Sequence, residues 1–319
     1  MLANRHVRCP LIGYMQYGGM LLSDIPFLGA IHVARRRRRE KYWAKTLPMV
    51  PMGNVIPRIV HQIYLSGKLP DVLGTGRDEA IAQNPDWDFQ IYANASVESF
   101  IATTYGTEVL SVYRLLNSEY GAARADLFRY LLIYAIGGAY LDIKSRFTAP
   151  ISAVIHGDES FILSQWRNGP GEIHQGMGLM EDVSDVPGGE YQQWHVISVA
   201  GHPYLRAVIA AVLANIETYS PWMSNVGRIG VLRLTGPIAY TRAIHPIRDV
   251  HPHVLTKAEV QFALQYSGYA RAKLFAAPHY STLMTPIVRR GVRSDMSGWV
   301  FRQTLRLTGR VPYGGIAWQ

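Results

Sequence analysis

GAARADLFRYLLIYAIGGAYLDIKSRF, residues Gly121 to Phe147, is the stretch that decides the fold. It reads as a helix, a double-glycine turn and a short buried strand that ends in a carboxylate. Asn117 or Ser118 supplies the N-cap, and Tyr120, Leu127, Leu131 and Tyr134 recur at helical spacing as an apolar stripe. Ala122, Asp126 and Arg129 fall at i, i+4 and i+7, so a small residue, an acid and a base share one side of the helix. Gly137 and Gly138 release the chain, and Ala139, Tyr140 and Leu141 run as an apolar strand towards Asp142. In open α/β sheets ligands gather at the carboxyl ends of strands, which is where Asp142 falls. Strand alternation points Asp142 and Lys144 at one pocket and Ile143 into the core. The same spacing also fits a surface ion pair and a solvated strand end, and it leaves both readings open.

Working outward, Ile59 to Tyr64 has the pattern of a buried parallel strand and is followed by a Ser66-Gly67 turn. His61 reads as a core histidine on the face opposite Tyr64. Asn84-Pro85 marks a turn, Trp87, Phe89 and Ile91 alternate as a second strand, and Ser96 is placed to cap the next helix. Phe161 to Gln165 and Gln193 to Val199 read as further strands. Gly201-His202-Pro203 turns into a helix from Tyr204 to about Thr218, and Gly236-Pro237 starts another. Trp166 to Gln192 is long, polar and glycine-rich, as functional or disordered loops are.

The central stretch resembles the glycosyltransferase family 32 type, which includes the fungal initiating α-1,6-mannosyltransferase and bacterial capsular and lipopolysaccharide glycosyltransferases. Four more segments resemble it in the same order: Ile56 to Tyr64 (IPRIVHQIY), Asn84 to Tyr92 (NPDWDFQIY), Gln193 to Leu205 (QWHVISVAGHPYL) and Thr235 to Pro237 with Ala239 and Tyr240. An ordered set is more specific than any one member. The resemblance implies an α/β chain with the GT-A (Rossmann-like) nucleotide-sugar transferase fold, a mixed, mostly parallel central sheet flanked by helices. It also implies transfer of a hexose from a UDP- or GDP-sugar to a glycan or lipid-linked acceptor, with retention and an α linkage. Asp126 and Arg129 would contact the donor sugar and its phosphate link, Asp142 the ribose or sugar hydroxyls, and Tyr64 the base, with Gln62 also in the donor-binding set. His202 and His279 are further candidates.

The family's D-x-D motif departs here to Asp142-Ile143-Lys144. Negative charge grows on the leaving diphosphate, and something positive must meet it. Either Asp142, with an acid or hydroxyl from elsewhere, holds Mg²⁺ or Mn²⁺, or Lys144 takes the ion's place. Lysine would repel a divalent ion, so weak or absent metal dependence is expected, with no organic cofactor. The departure also admits a nucleotide-sugar-binding protein of the same fold that has lost catalysis.

The 319 residues suffice for one large α/β domain or two small ones, and 48% hydrophobic with 17% charged content is that of a folded globular chain. One cysteine, Cys9, excludes an intramolecular disulfide framework and favours a reducing compartment. A net charge of +9 favours anionic partners. Arg35 to Arg39, with Lys41, Tyr42 and Trp43, suits an anionic membrane face, and it lacks the aromatic platform or module that nucleic-acid binding needs. Leu11 to Leu22 is too short to span a bilayer. The expected organisation is an N-terminal basic and apolar arm over 1–50, a catalytic domain over 51–284 and a basic extension over 285–319. The expected location is cytoplasmic, peripheral on a membrane, rather than the Golgi lumen. His245, His251 and His253 lie among prolines and lack the spacing of a specific zinc site.

Overall fold

The computed structural model describes residues 26–268, 280–291, 296, 298–301 and 303–304. In chain order the elements are α1 (Pro26–Thr46), β1 (Ile59–Ile63), α2 (Asp71–Gln83), β2 (Asp88–Tyr92), α3 (Asn94–Arg114), α4 (Gly121–Ile136), β3 (Gly138–Leu141), β4 (Arg146–Phe147), β5 (Phe161–Ser164), β6 (His195–Ser198), α5 (Pro203–Thr218), α6 (Pro221–Ser224), α7 (Gly227–Leu234), α8 (Pro237–Ile244), β7 (Val254–Thr256), α9 (Ala258–Gln261) and β8 (Leu264–Gln265). Six strands form one sheet in the order β2-β1-β3-β6-β5-β7. β1 is parallel to β2 and β3, β7 is parallel to β5, and β6 is antiparallel to both β3 and β5. Five strands therefore share a direction and β6 opposes them, giving the mixed, mostly parallel α/β sheet expected from sequence. β4 and β8 pair separately.

Every residue of β3, β5 and β6 is buried, as near-continuous apolar strands covered on both faces should be. Alternate residues feed two cores. Ile63, Tyr140, Phe161, Leu163 and Val196 pack with α3, α4 and α5, while Val60, Ala139, Leu141, Ile162 and Ile197 pack with Trp87, Trp194 and Phe262. α4 is buried almost all round, which its run from Leu127 to Tyr134, apolar but for Arg129, dictates. It starts at Gly121, with Tyr120 at the N-cap position; Asn117 instead closes the turn before the helix, its Oδ1 accepting from the Glu119 amide at 3.2 Å, its carbonyl accepting from the Tyr120 amide at 2.9 Å and its Nδ2 donating to the Pro286 carbonyl at 3.1 Å. At the other end the two glycines are required. Gly138 has φ +97°, and a Cβ there would stand 2.7 Å from the Ile59 carbonyl oxygen.

Regular structure restarts at β1, after an irregular stretch over 47–58. The arm expected before residue 50 is, from Pro26 on, a helix docked on α5. Trp43 and Leu47 are in the same core as α4, and Glu217 accepts from Arg39 Nε at 2.7 Å and from Trp43 Nε1 at 2.7 Å. Ile287 and Val288 also lie in that core. Of the basic extension expected over 285–319, residues 292–295, 297, 302 and 305–319 lie outside the described residues. Among the described residues no helix is long and apolar enough to cross a membrane.

Candidate active site

Four elements meet at the carboxyl end of β3. α4 brings Asp126 and Arg129 on one face, β3 carries Tyr140 and is followed directly by Asp142, the segment before β6 brings Gln193, and the turn before α8 brings Thr235. The antiparallel β3–β6 register sets Leu141 opposite His195, and the Asp142 amide donates to the Trp194 carbonyl at 2.8 Å. Gln193 is thereby delivered beside α4.

Arg129 is the hub. Its Nη2 stands 2.9 Å from Asp126 Oδ1, and its Nη1 stands 3.2 Å from Asp142 Oδ1. Nη1 also donates to the Gln193 carbonyl at 2.6 Å and to Gln193 Oε1 at 2.7 Å, and the guanidinium lies 4.5 Å over the Tyr140 ring. Asp126 accepts from Thr235 Oγ1 at 2.8 Å and from Gln193 Nε2 at 3.2 Å, and Tyr140 donates its hydroxyl to Asp142 Oδ1 at 2.6 Å. The side chains of Asp126 and Arg129 are 4% and 5% exposed, whereas that of Asp142 is 35% exposed. The network thus opens to solvent through one carboxylate.

Burial raises the Asp126 carboxyl above the ordinary range, and Arg129, Thr235 and Gln193 oppose that rise. Burial also opposes the charge on Arg129, but Tyr140, Asp142 and Asp126 outweigh it and hold the guanidinium pKa above its usual value. Since arginine does not shed its proton, Arg129 is a fixed cation beside Asp126 and favours the ionised form of that carboxyl. Burial pushes the Tyr140 and Tyr130 hydroxyls far up, so both remain donors. A rim surrounds Asp142. Tyr266 follows β8 beside the Asp142–Ser145 turn, and its ring lies 5.2 Å from that of Trp166 and 5.4 Å from that of Trp194. Tyr280 and Tyr266 both lie within electrostatic reach of Asp142 and of Arg228 from the first turn of α7. An exposed acid, an aromatic wall and a cation suit a polyhydroxylated, anionic ligand.

Residues 70–161, which carry Asp126, Arg129, Asp142 and Lys144, match the family described as "Glycosyltransferase sugar-binding region containing DXD motif". Inositol phosphoceramide mannosyltransferase 3 of Schizosaccharomyces pombe is 30% identical over 101 residues, 32% of this chain and 28% of that protein. A mannosyl phosphorylinositol ceramide synthase of Saccharomyces cerevisiae is 29% identical over 186 residues, 58% of this chain and 42% of its own. The initiation-specific α-1,6-mannosyltransferase of Candida albicans is 28% identical over 137 residues, 41% and 34% of the two chains. The chain spans less than half the length of these relatives. The solved PaToxG glycosyltransferase aligns over 69% of this chain and 80% of its own, with a TM-score of 0.44 and 14% identity.

Within the matched region, Asp126 and Arg129 share a helix face as their spacing implied, and Asp142 joins them as the resemblance implied. Other expectations change. The chain turns at Asp142, where Ser145 donates to the Asp142 carbonyl at 2.8 Å, so Asp142 and Lys144 are not alternate residues of one strand. Lys144 remains electrostatically near: burial pushes its ammonium pKa down and Asp142 opposes this. Arg129 is engaged by Asp126, Asp142 and Gln193 beneath the surface, so it holds Asp142 in place rather than standing open to a phosphate. Gln62 lies with Val60 on the opposite sheet face and lines a cleft with Arg77, Phe89, Ile143 and Arg146, away from the Arg129 cluster. Tyr64 follows β1 half-buried, at the same sheet edge as Asp142, since β1 pairs with β3 at Val60–Ala139 and His61–Tyr140.

His202 is not at the site. It caps α5, accepting from the Tyr204 amide at 3.3 Å, and it lies beyond the end of β6, whose reversed direction carries it to the sheet edge opposite Asp142. His61 is in the core, with Nε2 3.1 Å from the Gly137 carbonyl. His279 lies outside the described residues. Gln193, Thr235, Tyr140, Tyr266 and Arg228 were not read from sequence as site residues. Tyr140 alone carried a local signal, since it shares the Asp142 face of β3 by alternation.

The glycosyltransferase family's cation finds a poor donor set in this chain. Both Asp126 oxygens are hydrogen-bonded, the residue two after Asp142 is the cation Lys144, and among the described residues no three His, Cys, Asp or Glu side chains stand close enough to hold an ion. Mg²⁺ is ordinarily held by one or two carboxylates together with substrate phosphates, and in this cluster the half-exposed Asp142 is the acid placed to serve it.

Proposed function

We propose that the chain is a hexosyltransferase that moves a sugar, mannose being the one its relatives' names point to, from a UDP- or GDP-sugar to a glycan or lipid-linked acceptor, with retention. The observation that carries this reading is the Asp126–Arg129–Asp142 cluster, which presents one half-exposed carboxylate at the carboxyl end of β3 within a glycosyltransferase sugar-binding region. Asp142 accepts hydrogen bonds from donor hydroxyls. Arg129, braced by Gln193 and Tyr140, fixes its angle. The acceptor hydroxyl attacks the anomeric carbon on the face from which the diphosphate leaves. The bond from that carbon to the phosphate oxygen breaks, and the acceptor proton passes to the departing diphosphate. Lys144 and Arg228 meet the charge that grows there, so the chain's part is positioning and electrostatics.

Lys144 in the motif favours one second reading, a nucleotide-sugar-binding protein without turnover. The test is transfer of labelled hexose from GDP-mannose and UDP-hexoses to a panel of inositol phospholipids and mannosides. Mass spectrometry reads the product and NMR reads the new linkage. An α-linked product supports the proposal, a β-linked product removes retention from it, and donor binding without any product or donor breakdown favours the second reading.

A further inference from the structure

The Arg35 to Arg39 run is the charged motif that the site does not use. α1 lies antiparallel to α5: Arg36 donates to Asn215 near the end of α5, and Arg206 near its start donates to the Ala44 carbonyl. α5 stops at Thr218, so the turns of α1 before Val33 run past it by about 10 Å at the helical rise. Docking divides the basic run. Arg36 and Arg39 turn inward to Asn215 and Glu217, while Arg35, Arg37 and Arg38 are exposed, with Lys41 and Lys45 exposed beyond them. The projecting turns carry Phe27, Leu28, Ile31 and Val33, which are 72%, 37%, 50% and 43% exposed. The helix is therefore graded along its length, apolar at its tip and cationic behind it.

A second part of the chain comes to the same end of α5. Arg290 donates to the Ile216 carbonyl, in the last turn of α5, and lies within electrostatic reach of Arg35. Phe301 packs edge-to-face on Trp222 of α6, the helix that directly follows α5, with ring centroids 4.9 Å apart. Its neighbours Trp299 and Val300 are 54% and 43% exposed. The acids beside α1 are engaged: Glu40 by Arg36, Glu108 by Tyr42 and Glu217 by Arg39 and Trp43. The outer face is left cationic. Isolated exposed apolar residues are ordinary, but a group of them behind a cationic collar marks an interaction surface.

We propose that this end of the molecule seats on an anionic phospholipid bilayer, with the tip of α1 entering the interface and Arg35, Arg37 and Arg38 meeting lipid phosphates. A bilayer surface takes both chemistries at once: the apolar turns reach the acyl boundary while guanidinium groups stay at the headgroups. A nucleic-acid backbone would answer the arginines and leave Phe27, Ile31 and Trp299 in water. The proposal stands apart from the transferase reading, since none of these residues touches the Asp142 cluster.

The test is flotation of the full chain with vesicles of phosphatidylcholine alone and of phosphatidylcholine mixed with phosphatidylserine. The chain is expected to float with the anionic vesicles only. Arg37→Gln with Arg38→Gln, which leaves the two docking arginines in place, should weaken binding on the order of 25-fold, about fivefold per cation removed. Phe27→Ser with Ile31→Ser should release the fraction that resists high salt. Circular dichroism and donor hydrolysis check that both variants stay folded. Absence of flotation with either vesicle overturns the proposal, as does binding that neither variant changes. Self-association that the Phe27→Ser/Ile31→Ser pair dissolves, without lipid binding, assigns the surface to a second copy instead.

Discussion

Replacing Asp142 with asparagine keeps the side chain's shape and an oxygen for the Tyr140 hydroxyl, and it removes one negative charge at the mouth of the cluster. Arg129 retains its 2.9 Å contact to Asp126 and its bonds to Gln193, and the Asp142 side chain is 35% exposed. The solvent-screened pair it forms with Arg129 is therefore worth at most about 1 kcal/mol to the fold. Catalysis is affected more. A hydrogen bond from a donor hydroxyl to a carboxylate contributes roughly 1.5–3 kcal/mol, which corresponds to a loss of about 10- to 150-fold in kcat/KM. The assay is initial-rate release of nucleoside diphosphate from the preferred donor, with Tm measured on the same samples. A kcat/KM within about threefold of the parent at unchanged Tm would refute the role given to Asp142.

Other outcomes follow from the same geometry. Arg129→Ala leaves the buried Asp126 carboxylate without its counter-ion, and urea unfolding should show a loss of about 3–5 kcal/mol; a loss below about 1 kcal/mol would mean the cluster is not a buried network. His61 and His202 are pushed down to about 4 and His195 to about 3 by burial. Each is neutral in the fold and protonates first in the unfolded chain, so stability is full above the ordinary value of 6.5 and declines as pH falls towards 4. The decline is roughly 3 kcal/mol for each of His61 and His202. Thermal unfolding across that range checks it, and His202→Asn, which keeps the α5 cap, should flatten part of the curve. Lys144→Asp supplies a second acid beside Asp142 and should make donor hydrolysis sensitive to EDTA; rates with and without Mn²⁺ that match the parent's would contradict the part assigned to Lys144.

The centre of the fold was legible because α4 and β3 are specified locally. A helical apolar period, two glycines forced to positive φ and a short apolar run ending in Asp142 each act within a few residues. Asp126 and Arg129 followed from helical spacing. What escaped depends on contacts distant in sequence. Nothing in HVIS says that β6 runs against its neighbours, yet that direction removes His202 from the site and delivers Gln193 to it. Arg36 and Arg39 looked like members of a uniform basic run, and only Asn215 and Glu217, far along the chain, separate them from Arg35, Arg37 and Arg38. The turn closed by Ser145 broke the alternation that would have aligned Lys144 with Asp142. The face that Gln62 takes follows likewise from which core Val60 and Leu141 join.

The central claim is that the Asp142 cluster takes a nucleotide sugar. It is tested most directly by incubating the purified chain with a panel of UDP- and GDP-sugars, with EDTA and with Mn²⁺, and measuring release of the nucleoside diphosphate. The account predicts turnover of one donor that survives EDTA and falls in the Asp142→Asn variant. Folded protein that neither hydrolyses nor binds any donor in the panel would contradict it.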